Sequence, residues 1–261
     1  MSDGRRLQRP RGLPAGVGAV SATPWHLGVM LAFDTETTGP DPEAARIITA
    51  CVARVDGSGT VPPESGNWLI DPGCEIPEEA ADIHGITTEH AREHGETPGP
   101  ALNDISGTLI RAARAGIPIV AYNAPYDLTV MDRETRRHGL EPFTGQFPHA
   151  AAVIDPFVLD KHLDPYRKGR RRLTAACEHY GVKLDGAHDA AADAIAAVRL
   201  AWKLAKVYPQ LAAMELADLH ELQVKAKADQ AASFQDYLLK QGKTEVIDGS
   251  WPIKAWAGGA A

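Results

Sequence analysis

Phe33-Asp34-Thr35-Glu36-Thr37-Thr38-Gly39 follows directly on an apolar run at 27–32, so a strand delivers two carboxylates to one end of a sheet. Side chains alternate faces along a strand, and Asp34 and Glu36, two positions apart, point the same way. Two carboxylates held together repel unless they are protonated or neutralised by a cation. The pair is therefore either a solvated turn or half of a divalent-metal site. Two later segments bear on that choice. Tyr122-Asn123-Ala124-Pro125-Tyr126-Asp127 ends a strand at Tyr122 and places Asp127 in the first turn of the next helix. The helix dipole favours a carboxylate there whatever its function. In His188-Asp189-Ala190-Ala191-Ala192-Asp193, Asp189 reads as an N-cap and His188 lies in the preceding loop, with Asp193 one turn inside and able to face the sheet. A lone histidine beside a glycine-containing turn is ordinarily a solvated loop residue. Here it can approach the same site as Asp193.

The elements that must position these groups alternate between strand and helix. Strands are expected at 27–34, 46–55, 67–70, 118–122 and 153–155, the first three as a meander closed by turns at 56–59 and 71–73. Helices are expected at 77–84, 100–115, 125–138, 156–163, 173–180 and 189–207. Leu102, Ile105, Leu109 and Ile110 have helical spacing, as do Leu128, Met131 and Thr135. This alternation points to an α/β fold. Residues 210–241 read as amphipathic helix broken once, and packing on the domain is the simpler role for it than a partner surface. The end, from Trp251 onward, reads as loose.

The chain has 261 residues and 44% hydrophobic content, enough to bury a sizeable core. Residues 1–26 hold four arginines among glycines and prolines without periodicity, and are expected to be a disordered tail. They lack the apolar core of a secretory signal. No apolar run of about eighteen residues exists, so no membrane span is expected. Cys51, Cys74 and Cys177 are widely separated, which suits reduced thiols in a cytoplasmic protein better than a disulfide framework. The net charge of −7 argues only weakly against a nucleic-acid partner, because a binding face can be locally basic.

FDTETTG, NAPYD and H-x-x-x-x-D, in that order, resemble the three motifs of the DEDDh 3′–5′ exonucleases. That family includes the proofreading subunit of bacterial replicative polymerases, ribonuclease T and oligoribonuclease. Ile83-His84-Gly85-Ile86-Thr87 is similar to the IHGIT segment of the proofreading branch. The resemblance covers roughly residues 27–207, which makes these the exonuclease domain and 208–261 a C-terminal helical extension with a loose tail. It implies a ribonuclease H-like fold, a mixed central sheet flanked by helices. It implies further that Asp34, Glu36, Asp127 and Asp193 hold two divalent cations, Mg²⁺ or Mn²⁺, with Asp34 bridging both. His188 would be the general base, at the five-residue spacing of the histidine subtype.

The chemistry agrees with the residue types. A phosphodiester is anionic and resists an anionic nucleophile, and hard divalent ions prefer carboxylate and phosphate oxygens. Two of them ~3.5–4 Å apart can activate water and stabilise the departing 3′ oxygen. A histidine of unperturbed pKa ~6.5 takes a proton near neutral pH. Zinc is a poor match without cysteine or a second histidine.

Other groups fall nearby. Thr35 and Thr37 either donate to the terminal nucleotide or close the turn at Gly39, and Asn123 either positions substrate or caps its helix. Tyr126 either stacks on a base or belongs to the core. His84 and Ile86 line the terminal base pocket by resemblance only. Asp155 ends a strand beside the site as a supporting group. The densest positive run, Arg167, Lys168, Arg170, Arg171 and Arg172, is either a solvated loop or a phosphate contact, and contact is favoured for a polynucleotide substrate.

The leading expectation is a metal-dependent 3′–5′ exonuclease on single-stranded DNA, releasing nucleoside 5′-monophosphates in proofreading or DNA repair. The C-terminal extension is available to a polymerase or another replication or repair partner. The rivals are an exoribonuclease of the same fold and a non-catalytic nucleic-acid-binding or scaffold module.

Overall fold

The computed structural model describes residues 23–60, 62–184, 189–256 and 258. Five strands form one mixed sheet: β1 (Val29–Thr37), β2 (Ile47–Asp56), β3 (Glu64–Leu69), β4 (Ile119–Val120) and β5 (Val153–Ile154). Their order is β3-β2-β1-β4-β5. The β1–β2–β3 part is an antiparallel meander, and β4 and β5 join it in parallel to β1. The short turn after Asp56 suffices for an antiparallel return, whereas a parallel return needs a helical crossover. Helices α1 (Glu78–His84), α2 (Thr88–His94) and α3 (Pro98–Arg114) lead into β4, and α4 (Pro125–Arg137) and α5 (Phe143–Gln146) into β5. Then follow α6 (Pro156–Leu163), α7 (Leu173–Tyr180), α8 (Ala190–Val207), α9 (Pro209–Ala212) and α10 (Leu216–Lys240).

The strand period sorts the core into two layers. Leu31 and Phe33 of β1 pack with Leu102, Ile105 and Leu109 of α3 and with Leu128 and Met131 of α4. Met30 and Ala32 face the other way, onto Ala194, Ala197 and Ala201 of α8. Alanines along that face of α8 let the helix lie close to the sheet. α2 and α5 were not expected. Each is at most two turns, too short for a periodicity to register.

Two segments expected to be loose belong to the body. Trp25 and His26, placed in the tail, are buried in a short 3-10 helix, and Trp25 Nε1–H donates to Leu211 O at 2.8 Å. Trp251 is buried against α10 and β5 residues, and the Lys254 and Ala255 carbonyls accept from Arg133 Nη2 at 3.1 and 3.0 Å. A single large aromatic anchored by a buried hydrogen bond can fix a short segment that composition marks as loop. The expected single break in the C-terminal helix lies between α9 and α10. Among the described residues no helix is long and apolar enough to cross a membrane.

Candidate active site

Asp34 and Glu36 continue the even-numbered face of β1 beyond Met30 and Ala32, so they look toward α8. There Asp189 caps the helix, its carboxylate accepting from Ala192 N at 2.9 Å, and Asp193 sits one turn in. One carboxylate oxygen each from Asp34, Glu36 and Asp193 lies within 4.8 Å of the others. Asp127 arrives from the opposite layer, at the start of α4. Its Oδ1 accepts from both Thr35 N (3.0 Å) and Thr35 Oγ1 (2.7 Å), which clamps it over the strand between the other two acids. Thr35 is therefore a clamp on Asp127, a third role beside the two expected for it.

The four carboxylates repel. Burial, then the charges of Asp127, Asp193 and Glu36, hold Asp34 well above the usual carboxylate range. Burial and the charges of Asp193 and Asp127 push Glu36 up to about 7. Burial raises Asp127 too, against its bonds from Thr35. Carboxylates crowded this way discharge their repulsion onto a divalent cation. Hard oxygen donors converging from β1 and α8, with no thiol among them, fit an oxygen-preferring ion. Cys51, opposite Asp34 on β2, is buried with its thiol pushed up to about 12, and is no thiolate ligand. His188 lies outside the described residues.

A family model described as exonuclease, of the RNase T type, matches residues 31–201. The chain belongs to this exonuclease family. An exonuclease of Escherichia phage 186 is 32% identical over 167 residues, 62% of this chain and 80% of the phage protein. A DNA polymerase III subunit epsilon-like protein of Rhodobacter capsulatus is 31% identical over 46% of this chain but only 16% of its own length. E. coli exonuclease I, solved with a dA16 oligonucleotide, shares the fold with a TM-score of 0.60 at 24% identity, over 71% of this chain and 42% of that one. The chain thus spans less than half the length of several proteins it resembles. The DEDDh resemblance read from the motifs agrees with this membership.

Two cavities flank Glu36. One, of about 600 Å³, is lined by Thr35, Thr37, Ile83, His84 and Tyr126. The other, of about 420 Å³, is lined by Asn67, Trp68, His84, Ile86 and Asp189. His84 forms a wall of both. Its Nδ1 accepts from Ile86 N at 3.1 Å, which puts the ring proton on Nε2, and burial lowers its pKa. Asn67 and Trp68 were not anticipated, and Ile83 was named only as the start of the IHGIT segment. Nothing in the sequence links β3 to a site built around β1.

Tyr126 does not stack freely. Its hydroxyl donates to Gly39 O and meets Thr37 Oγ1, which ties the exit of β1 to α4. Thr37 also donates to Gly39 O at 3.0 Å, the turn-closing role. Asn123 adopts a left-handed φ of 65° that asparagine tolerates. The N-cap of α4 is Ala124 and no side chain caps the helix, so Asn123 does not take the expected capping place, and Asp155 holds the two amides just before the helix. Its two oxygens accept from Asn123 N at 2.9 Å and Ala124 N at 3.0 Å. Asp155 also caps α6 and receives Trp251 Nε1–H at 3.3 Å. Gln223 of α10 locks this corner, accepting from Asp155 N at 2.6 Å and donating to Val153 O at 3.0 Å.

The basic run divides. Arg167 and Arg171, with only 9% and 12% of their side chains exposed, both pair with Asp160 at 2.5 and 2.7 Å. These two are structural, a correction to the expected uniform phosphate contact, because the fully buried Asp160 must be neutralised. Lys168, Arg170 and Arg172 are exposed.

Proposed function

We propose that the protein is a divalent-metal-dependent 3′–5′ exonuclease that hydrolyses single-stranded DNA and releases nucleoside 5′-monophosphates. The observation that carries this is the convergence of Asp34, Glu36 and Asp193, from a strand and a helix, onto one point within 4.8 Å. Asp127, clamped by Thr35, completes a set of four carboxylates that would hold two Mg²⁺ or Mn²⁺ ions. When bound, such ions supply water activation and charge stabilisation at the departing 3′ oxygen.

The chain's own residues supply the rest. The cavities on either side of His84 accept the last bases, and Ile83 and Trp68 offer apolar walls to them. His84 Nε2–H is a buried donor without a protein acceptor, available to a nucleotide oxygen or base. In this reading His188, two residues before α8 in sequence, takes the proton from water. Thr35, the clamp, keeps Asp127 placed while substrate enters. The polymerase-related kin favour DNA as substrate and proofreading or repair as setting. RNA trimming is the rival within the same chemistry.

End-labelled single-stranded DNA and RNA, with Mg²⁺ or Mn²⁺ and an EDTA control, test the proposal. Stepwise shortening from the DNA 3′ end, lost in EDTA and in Asp34→Asn, is the expected result. Preferred shortening of RNA would replace the substrate and keep the mechanism. Binding without turnover in any metal would overturn the enzyme reading.

A further inference from the structure

Two cavities outside the carboxylate site meet at Lys161. One, of about 520 Å³, is lined by Phe157, Lys161 and the arginines 170–172. The other, of about 410 Å³, lies between α6 and α10, lined by Lys161, His162, Phe234 and Tyr237 among others. The first begins beside the catalytic edge. Tyr122, two residues past the end of β4 and just before Asn123, packs edge-on against Phe157 at 5.7 Å and donates its hydroxyl to Arg171 O. Lys161 lies one turn further along α6, its Nζ 5.1 Å from the Phe157 ring centre.

At the far end Phe234 and Tyr237 present nearly parallel rings, with centroids 6.2 Å apart and planes 13° from parallel. They are 48% and 56% exposed, and Tyr166 nearby in sequence to the cavity's Pro165 is 80% exposed. A soluble protein has little reason to stack two rings in water unless something covers them.

We infer that this face is the track for the single strand upstream of its 3′ end, with Lys161, Arg170 and Arg172 taking phosphates and Phe234 and Tyr237 forming a stacking platform for bases. Cationic groups in a groove followed by exposed aromatic rings are the combination that binds single strands without sequence preference. Charge complementarity selects nucleic acid over an apolar peptide. Burial, with Lys227 and Arg171 close by, lowers the pKa of Lys161, and an incoming phosphate relieves that crowding. Asp229, the acid on the cavity wall, faces His162, and Asp160 is already occupied by Arg167 and Arg171. Two polar atoms, His162 Nε2 and Gln230 Oε1, are buried at this cavity without a protein partner. The eight residues of α6 span ~12 Å at 1.5 Å per residue. At ~3.4 Å per stacked nucleotide, the length of α6 alone corresponds to roughly three to four nucleotides.

The inference rests on the exonuclease reading, and its test separates the two. Phe234→Ala/Tyr237→Ala and Arg170→Ala/Arg172→Ala variants, checked for unchanged melting temperature, are compared with wild type. Binding is measured on dT12 and dT3 carrying phosphorothioate linkages, and turnover on unmodified dT3. The aromatic variant is expected to cut the ratio of dT12 to dT3 affinity by at least about tenfold. The arginine variant is expected to make the log–log salt slope for dT12 shallower by about 1.4, two contacts at ~0.7 each. An unchanged ratio with normal turnover overturns this inference alone. A lost ratio with no turnover by wild type overturns the exonuclease reading and leaves a strand-binding face. A wild-type mass of two chains in light scattering, reduced to one by the aromatic variant, would assign the patch to self-association and overturn the track.

Discussion

Helix α4 has a cluster of buried acids toward each end, and the two are balanced in opposite ways. At its start, Asp127 is raised by burial and adds its charge to Asp34 and Glu36, which rise with it. Toward its end, Asp132 and Glu134 are as deeply buried, yet arginines surround them. Arg133 and Arg136 bond Asp132 at 2.6 and 2.8 Å, and Arg137 bonds Glu134 at 2.8 Å. Burial pushes the Asp132 carboxyl up, but the bonds from Arg136, Thr144 and Arg133 outweigh it and leave it below the usual range. Arg133, only 1% exposed, also grips Glu43 at 2.7 Å and so anchors the loop between β1 and β2. The saturated end is scaffold. The unsaturated end stores repulsion that a cation or a proton must discharge.

The sharpest way to break that comparison is Asp34→Asn. Activity should fall by at least ~10³-fold, about 4 kcal/mol of transition-state stabilisation. The metal-free protein should melt no lower than wild type, since a repelling charge has been removed. A large drop in melting temperature would show that Asp34 is structural. Arg133→Met should do the reverse. Leaving Asp132 and Glu43 without their shared partner costs roughly 3–5 kcal/mol in denaturant melts, while turnover per folded molecule stays within a few-fold. Equal damage to turnover would mean that the two ends cannot be separated.

Asp155→Asn tests the joint between scaffold and site. It weakens the grip on the Asn123 and Ala124 amides that aim Asp127, and a loss of about 10–100-fold in activity is expected. Full activity would remove Asp155 from the positioning role.

The smallest effect is one of pH. Glu36 has a folded pKa of about 7 against an ordinary 4.5. The folded state therefore holds the extra proton, and the stability Glu36 contributes is complete below about 4.5 and lost as pH rises toward 7. Asp132, depressed, behaves oppositely, contributing above its ordinary 3.8 and losing that as pH falls through the lowered value. Comparing Glu36→Gln with wild type cancels the buried histidines common to both. The variant should gain stability relative to wild type between pH 5 and 7, and millimolar Mg²⁺ should erase the gain. A pH-independent difference would reject the repulsion.

Local sequence carried much of this. The helices 156–163 and 173–180 appear with the expected ends, because Pro156 after the capping Asp155 and Gly181 in the left-handed conformation are signals confined to neighbouring residues. The acids at 34 and 36 could be paired because strand alternation is also local, and Asp193 was joined to them by the motif resemblance. What could not be read was which groups the fold buries against one another. Thr35 read equally as a substrate donor or a turn residue until α4 laid Asp127 on it. Arg167 and Arg171 were indistinguishable in type from Arg170 and Arg172 until Asp160 was seen to be buried beside them. Trp251 sat in a segment with every mark of a loose end, yet it completes the shell of Asp155.

The sequence by itself determined which groups can do the chemistry, and the alternating pattern that sends Asp34 and Glu36 toward one layer. Only the tertiary structure decided which charges are spent on the scaffold and which are left to act. The reason is physical. Alternation and capping depend on neighbours within a turn or two, whereas the state of a buried charge depends on whatever the fold packs against it, whether from 7 residues away, as Arg167 on Asp160, or from 92, as Thr35 on Asp127.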